Sequence, residues 1–120
     1  ATEKVWLLAD SGHLAFAGAE PAKVFAKYRD RIGHVHLKDV RTSALKSAYN
    51  DALSFEGAVR AGVFTVPGDG RIDFRPLFEE LKKAGYEGWM VVEAEQDPVK
   101  AEPLRYAKRG REYIRETAGL

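Results

Sequence analysis

The sequence predicts an α/β fold in which parallel strands alternate with helices. Three short apolar runs, each suited to a buried strand, alternate with three patterns at helical spacing. Strands separated by helices of this length are joined by right-handed crossovers, which places the strands parallel in one sheet. The chain has 120 residues, 45% of them hydrophobic, and it contains no internal repeat or low-complexity tract, so we expect a single domain over 1–120.

The first half of the chain supplies two strands and one helix. The segment "KVWLLAD" at 4–10 reads as a buried strand, and the segment "IGHVHLKD" at 32–39 reads as the second strand. Between them, residues 21–31 predict a helix because Pro21 is well placed in a first helical turn and the apolar residues recur at helical spacing.

The second half supplies two helices and one strand. Residues 41–57 are polar and predict an excursion over the surface, followed by the turn "VPGDGRIDF" at 66–74. Apolar residues at helical spacing predict a helix over 74–84, and "GWMVVEAE" at 88–95 predicts the third strand. A final amphipathic helix is predicted over 98–116.

The composition excludes several classes of function. Nineteen basic and 18 acidic residues leave a formal net charge of +1, which is not the charge pattern of a nucleic-acid-binding protein. Without cysteine, any metal must be held by histidine and carboxylate, which points to divalent ions such as Mn, Co, Mg or Zn. No apolar stretch is long enough for a membrane span and no signal-peptide pattern is present, so we expect a cytoplasmic protein without a membrane partner.

Polar residues lie at the end of each predicted strand. Asp10 closes the first strand, His36 lies near the end of the second, and Glu93 lies near the end of the third. The carboxyl ends of parallel strands meet at one edge of a sheet or barrel, where binding sites form. Strand alternation places Lys38 on the face of His36, and Glu95 on the face of Glu93 about 7 Å further along. One imidazole and two carboxylates at this edge predict a divalent-metal site.

Each ligand taken alone has an ordinary structural explanation. Asp10, followed by Ser11 and Gly12, is also typical of a cap or turn. A histidine pair in a strand often satisfies backbone carbonyls, and two glutamates can simply form a solvated strand end. The coincidence of three compatible ligands at three strand ends favours the metal site, because a buried carboxylate without a partner is costly.

Four motifs together carry a family resemblance. They are "DSGH" at 10–13, "GHVHLKDVR" at 33–41, "GVFTVPGDGRIDF" at 62–74 and "GYEGWMVVEAEQDP" at 85–98. In this order they resemble the inosose dehydratases of inositol catabolism, which are members of the xylose-isomerase-like TIM-barrel superfamily. The resemblance covers nearly the whole chain. It implies that the chain is the last three βα units of a (β/α)8 barrel, a C-terminal partial barrel without its N-terminal part.

The resemblance also implies the roles of individual residues. In the superfamily one divalent metal is held by Glu, Asp, His and Glu from four strands, and the last three carry over to Asp10, His36 and Glu93. The first glutamate would lie upstream of Ala1. Lys38 would be a proton donor or a substrate clamp, and His13 a substrate-side histidine. Further candidates for the site are Glu95, Asp39, Arg41 and Asp69.

The implied reaction removes water from a cyclic polyol ketone, 2-keto-myo-inositol. We expect the chain alone to be inactive, and its open sheet edges to associate with the missing part of a barrel or with further copies of itself. A sugar isomerase or epimerase of the same superfamily shares the metal set and stays an alternative, as does a non-catalytic assembly fragment. A DNA-repair endonuclease on the same barrel would need more histidine ligands than the three in this chain.

Overall fold

A three-stranded parallel sheet forms the centre of the fold, as predicted. The computed structural model describes residues 3–120. The first half of the chain contains β1 (Leu7–Asp10), α1 (Ser11–Phe16), α2 (Pro21–Tyr28), a 3₁₀ turn (Arg29–Arg31), β2 (Ile32–Leu37) and β3 (Asp39–Val40). The second half contains α3 (Thr42–Asn50), α4 (Phe55–Arg60), β4 (Phe64–Thr65), α5 (Arg75–Lys83), β5 (Met90–Val92) and α6 (Pro103–Ala118). The strand order in the sheet is β1-β2-β5.

Helices cover one face of this sheet. The main core lies between the sheet and α2 and α5, and its fully buried side chains include Phe25, Val35, Leu37 and Phe74. On the opposite face large apolar side chains remain accessible: Trp6, Leu8, Trp89 and Val91 are 61%, 49%, 81% and 38% exposed. Both faces of the sheet therefore carry apolar residues, but only one face is covered by helices.

Several element boundaries differ from those predicted: β1 begins at Leu7 instead of 4, α2 ends at Tyr28 instead of 31, β2 ends at Leu37 instead of 39, and β5 begins at Met90 instead of 88. The third strand ends at Val92 instead of 95, and Glu95 itself has a left-handed backbone with φ 43°, which a strand residue does not adopt. The last helix begins at Pro103 instead of 98. There the side chain of Glu102 caps the helix by accepting hydrogen bonds from the backbone N–H groups of Leu104 and Arg105, at 3.0 and 2.7 Å.

The segment 41–57 lies largely on the surface, as predicted, but most of it is helical. Its helices α3 and α4 bury Leu45, Ala48 and Ala58 in a second apolar cluster with Val40 and Phe64. Alanines provide part of this buried surface, so the segment reads as polar although its helices have apolar faces. The sequence pattern therefore underestimated how much of this segment is packed.

A short antiparallel pair, β3 with β4, extends the fold beyond the main sheet. The loop after β4 is held by the carboxylate of Asp39, which accepts backbone hydrogen bonds from Gly68, Gly70 and Ile72 at 3.3, 3.0 and 2.9 Å. Glycine is required at 70, since a Cβ there would lie 2.3 Å from Oδ1 of Asp39. No helix within the described residues 3–120 has the length and apolar character needed to cross a membrane.

Candidate metal centre

The three predicted ligands lie together at the carboxyl edge of the sheet. Asp10 is the last residue of β1 and pairs in register with His36 of β2, while Glu93 directly follows β5. One ligand atom from each residue lies within 4.8 Å of the other two. Nδ1 of His36 is 3.1 Å from Oε2 of Glu93 and 3.5 Å from Oδ2 of Asp10. The parallel register therefore brings the ligands of three separate strands to one point.

The environment of Asp10 fits a metal ligand. Its Oδ1 accepts a hydrogen bond of 2.9 Å from the backbone N–H of His13 and so caps α1. Its Oδ2 is buried and accepts no well-aligned hydrogen bond from the described residues, although Nδ1 of His13 lies 2.8 Å away. A buried carboxylate oxygen without a hydrogen bond is costly, and a cation would compensate for it. Two carboxylates and one imidazole form a donor set suited to a divalent ion.

Lys38 brings a buried cation to the same place. Its side chain is 0% exposed, and Nζ lies 2.8 Å from Oε2 of Glu93 and 3.6 Å from Oδ2 of Asp10. Nζ also donates a short hydrogen bond to Oε2 of Glu95. Burial by itself would lower the pKa of Lys38, but its hydrogen bonds to Glu93 and Glu95 and the charge of Asp10 raise that pKa above its ordinary value.

The backbone around Lys38 is fixed by the start of α1. The hydroxyl of Ser11 donates a hydrogen bond of 2.7 Å to the carbonyl oxygen of Lys38 and accepts one of 3.0 Å from its N–H. Gly12 leaves room for the aliphatic part of the lysine, because a Cβ at 12 would lie 2.4 Å from Cγ of Lys38. Ser11 therefore fixes the backbone of Lys38, and Gly12 leaves space for its side chain. The position of these two residues after Asp10 in the sequence does not reveal this role.

Glu93 and Glu95 face the centre by different routes. The hydrogen bond from Lys38 is the main reason why the pKa of Glu93 lies below its ordinary value. Glu95 is not on the strand, yet the left-handed turn at this residue directs its carboxylate back to Lys38. Period-2 alternation predicted that Glu95 lies on the same face as Glu93, about 7 Å further along the strand. That separation does not apply, because the strand ends at Val92.

His13 stands at the open side of the centre, and 43% of its side chain is exposed. Its ring stacks on Phe55 of α4, with the centroids 5.5 Å apart, and lies 5.6 Å from the ring of Phe64. Phe16 and Tyr49 extend this aromatic group. The sequence reading missed the group, because its members come from four elements and share no spacing.

The remaining candidates are engaged away from the three ligands. Asp39 is fully buried and accepts backbone hydrogen bonds, as described above. The guanidinium of Arg41 donates to the carbonyl oxygen of Gly62 at 2.8 Å and to Oδ2 of Asp69 at 2.7 Å. Asp69 also accepts from the Thr65 hydroxyl at 2.6 Å. Among the described residues, Arg41 and Asp69 therefore tie the loop after β4 to β3.

Comparison with known proteins places this geometry in a family. Residues 1–117 match the family model described as "Xylose isomerase-like TIM barrel". The chain belongs to this xylose isomerase-like TIM-barrel family. A solved structure, a xylose isomerase domain protein from Alicyclobacillus acidocaldarius, superposes with a TM-score of 0.67 at 25% identity, covering 98% of this chain and 38% of that one. The three parallel strands are thus part of a xylose isomerase-like barrel, as the sequence predicts.

Curated relatives in this family are inosose dehydratases. The chain is 58% identical over 118 residues to the one from Geobacillus thermodenitrificans and 53% identical over 116 residues to one from Clostridium botulinum. It is 54% identical over 121 residues to one from Klebsiella pneumoniae. These matches cover 98%, 97% and 98% of this chain, but the chain spans only about 40% of the length of these relatives. The predicted resemblance is confirmed.

Proposed function

We propose that this chain is part of a metal-dependent inosose dehydratase that removes water from 2-keto-myo-inositol in inositol catabolism. Identity of 58% to an inosose dehydratase over 98% of the chain is the observation that carries the proposal. The convergence of Asp10, His36 and Glu93 supports it, because proton abstraction beside a carbonyl is a reaction that a divalent ion assists. Mn or Co is the proposed ion, and the three residues are its proposed ligands.

The roles of the other residues follow from where their polar atoms lie. A bound divalent ion supplies Lewis-acid polarisation of a substrate carbonyl. Dehydration transfers a proton from the carbon beside the carbonyl to a base, while an acid protonates the hydroxyl on the next carbon, which leaves as water. Lys38 holds a proton on Nζ at this edge, 2.8 Å from Glu93, and is the proposed donor. His13 is exposed enough to contact substrate and is the proposed hydroxyl-binding residue.

Product analysis tests the proposal most directly. A full-length protein that contains this sequence is incubated with 2-keto-myo-inositol and Mn²⁺ or Co²⁺, and the mixture is examined by mass spectrometry for the dione that has lost one water. We expect the dione from the full-length protein and none from the 120-residue chain, whose described sheet leaves one face of the centre uncovered.

Two matched variants identify the residues involved. In the full-length protein, Asp10→Asn should abolish the dione because it removes a charged ligand, whereas Asp73→Asn, an exposed position on the loop before α5, should leave the rate unchanged. If the full-length protein forms no dione with either ion, the proposal is wrong. Formation of an epimerised ketose without loss of water would assign the chain to sugar epimerisation instead.

A further inference from the structure

A second group of metal-binding side chains lies beside the first. One ligand atom from each of His13, Glu93 and Glu95 lies within 4.8 Å of the other two. We call Asp10, His36 and Glu93 the first triad, and His13, Glu93 and Glu95 the second triad. The two triads share Glu93. A carboxylate shared between two ligand groups is the arrangement by which proteins hold two ions about 3.5–4 Å apart. The side chains of this edge could therefore serve two divalent ions.

The ammonium of Lys38 lies within the second triad. Nζ is hydrogen-bonded to Oε2 of Glu95, lies 2.8 Å from Oε2 of Glu93 and lies 3.5 Å from Nδ1 of His13. Each ligand residue of the triad therefore contacts the lysine. An ion that bound these three side chains would have to displace the ammonium.

Displacement is opposed by the way in which Lys38 is held. Its side chain is 0% exposed, and Nζ contacts three carboxylates at once. Ser11 binds both the N–H and the carbonyl of Lys38, and the stem packs against Gly12. The ring of Phe64 lies 5.1 Å from Nζ and adds a cation–π contact.

The charge of the edge leads to the same conclusion. Three carboxylates, those of Asp10, Glu93 and Glu95, lie within 4 Å of Nζ of Lys38 and share its single positive charge. Among the described residues this leaves a net charge of −2, which one divalent ion neutralises. A further divalent ion bound by His13, Glu93 and Glu95 would be repelled by the ammonium that these three side chains already contact, and that repulsion is strong where water is excluded.

We propose that Lys38 is the resident cation of the second triad and restricts this centre to a single divalent ion. This role of Lys38 rests on the proposed metal centre, but it is tested by the difference in the number of bound ions between the unchanged chain and its Lys38 variants. Replacing Lys38 by an uncharged residue should therefore open a site for one additional divalent ion, bound by His13, Glu93 and Glu95.

The experiment counts bound Mn²⁺ in the 120-residue chain and in its Lys38→Met variant. Native mass spectrometry gives the number of ions, and electron paramagnetic resonance detects magnetic coupling between neighbouring Mn²⁺ ions. We expect one more equivalent in Lys38→Met than in the unchanged chain, accompanied by the signal of a coupled pair. Equal numbers of bound ions in the two proteins would overturn the inference.

Two further variants test the positive charge of residue 38 and the role of Glu95 as a ligand. Lys38→Arg keeps the positive charge and should bind no additional ion. The double variant Lys38→Met with Glu95→Gln removes a ligand of the second triad and should return to the count of the unchanged chain. An additional ion in Lys38→Arg, or its retention in the double variant, would contradict the assignment.

Circular dichroism shows whether Lys38→Met folds, and if it does not, Glu95→Gln provides a second test. Glu95→Gln alone keeps the lysine and should leave the number of bound ions unchanged, because Glu95 then serves Lys38 and not an ion. Loss of an equivalent in Glu95→Gln would overturn the inference. The count in the unchanged chain is a separate result: if that chain binds no Mn²⁺, the proposed metal centre fails, whatever Lys38 does.

Discussion

Four backbone N–H groups depend on the single carboxylate of Asp39. They belong to Val40, Gly68, Gly70 and Ile72 and lie between 2.8 and 3.3 Å from its oxygens. Such a carboxylate substitutes for the hydrogen bonds that a tight loop cannot make within itself. At the scale of the residue, Asp39 therefore stabilises the loop after β4 through hydrogen bonds to its backbone. Lys38, its neighbour in sequence, instead contacts the carboxylates of the metal centre.

Asp39→Asn should destabilise the chain. An amide has one acceptor oxygen, and its NH₂ group would face N–H donors that the carboxylate now satisfies. Bonds to a charged group contribute about 1.5–3 kcal/mol and a buried donor without a partner costs a similar amount, so we expect a loss of about 3 kcal/mol in the free energy of unfolding. Urea denaturation at pH 7 measures it.

The control for this loss is Asp73→Asn. Asp73 is 49% exposed and binds its neighbour Arg75, so the same chemical change should alter the free energy of unfolding by less than about 0.5 kcal/mol. If Asp39→Asn and Asp73→Asn prove equally mild, the loop does not depend on the buried carboxylate.

At the scale of the element, the strand ends could be predicted and the turns that follow them could not. Asp10 and His36 were placed correctly because period-2 alternation and parallel pairing act on whole strands. The contact of Glu95 with Lys38 depends on one left-handed residue after β5, and the sequence gives no periodic signal for it. Likewise α3 is too rich in small residues for its buried face to show as an apolar stripe.

The junction between α2 and α5 has a pH-dependent component. Arg29, in the 3₁₀ turn after α2, lies 3.0 Å from Oε2 of Glu80 on α5, and Lys83 hydrogen-bonds the other oxygen at 2.6 Å. Lys83 first and Arg29 second hold the pKa of Glu80 below its ordinary value of 4.5. A carboxylate with a lowered pKa in the folded state stabilises the fold above pH 4.5, and this contribution is lost as the pH falls through the folded pKa.

Glu80→Gln should therefore lower the melting temperature at pH 7 and have a smaller effect well below pH 4.5, where the ionic contribution of Glu80 is already lost. Thermal unfolding of both proteins at the two pH values measures the difference. Glu79→Gln, an exposed position on the same helix, is the control and should leave the melting temperature at pH 7 nearly unchanged. An effect of Glu80→Gln that is equal at both pH values would contradict the ionic account.

At the scale of the whole molecule, the uncovered face of the sheet is the dominant feature. Trp6, Leu8 and Trp89 lie on it at 61%, 49% and 81% exposure, and β1 and β5 are the outer strands of the sheet. Burying a large apolar side chain contributes about 1.5–3 kcal/mol, so this face favours association with another surface. In the 120-residue chain, that surface is proposed to be a second copy.

Leu8→Lys should reduce this association. The chain should form dimers or larger species at micromolar concentration, and a charge in the middle of the apolar face should shift it toward the monomer, as followed by light scattering. Val99→Lys is the control, because Val99 is 92% exposed and lies in the turn before α6, outside the strands of the sheet. A stable monomer of 13.4 kDa with cooperative unfolding would show that the exposed face does not drive association.

Calorimetric titration with Mn²⁺ tests directly whether the three strand ends form one divalent-metal centre. The unchanged chain should bind the ion, and His36→Ala should abolish binding because it removes the single imidazole of the first triad. His34→Ala, on the same strand with its ring centroid 5.3 Å from that of His36, should bind as the unchanged chain does. If His36→Ala binds Mn²⁺ as tightly as the unchanged chain, the metal centre is not where these residues meet.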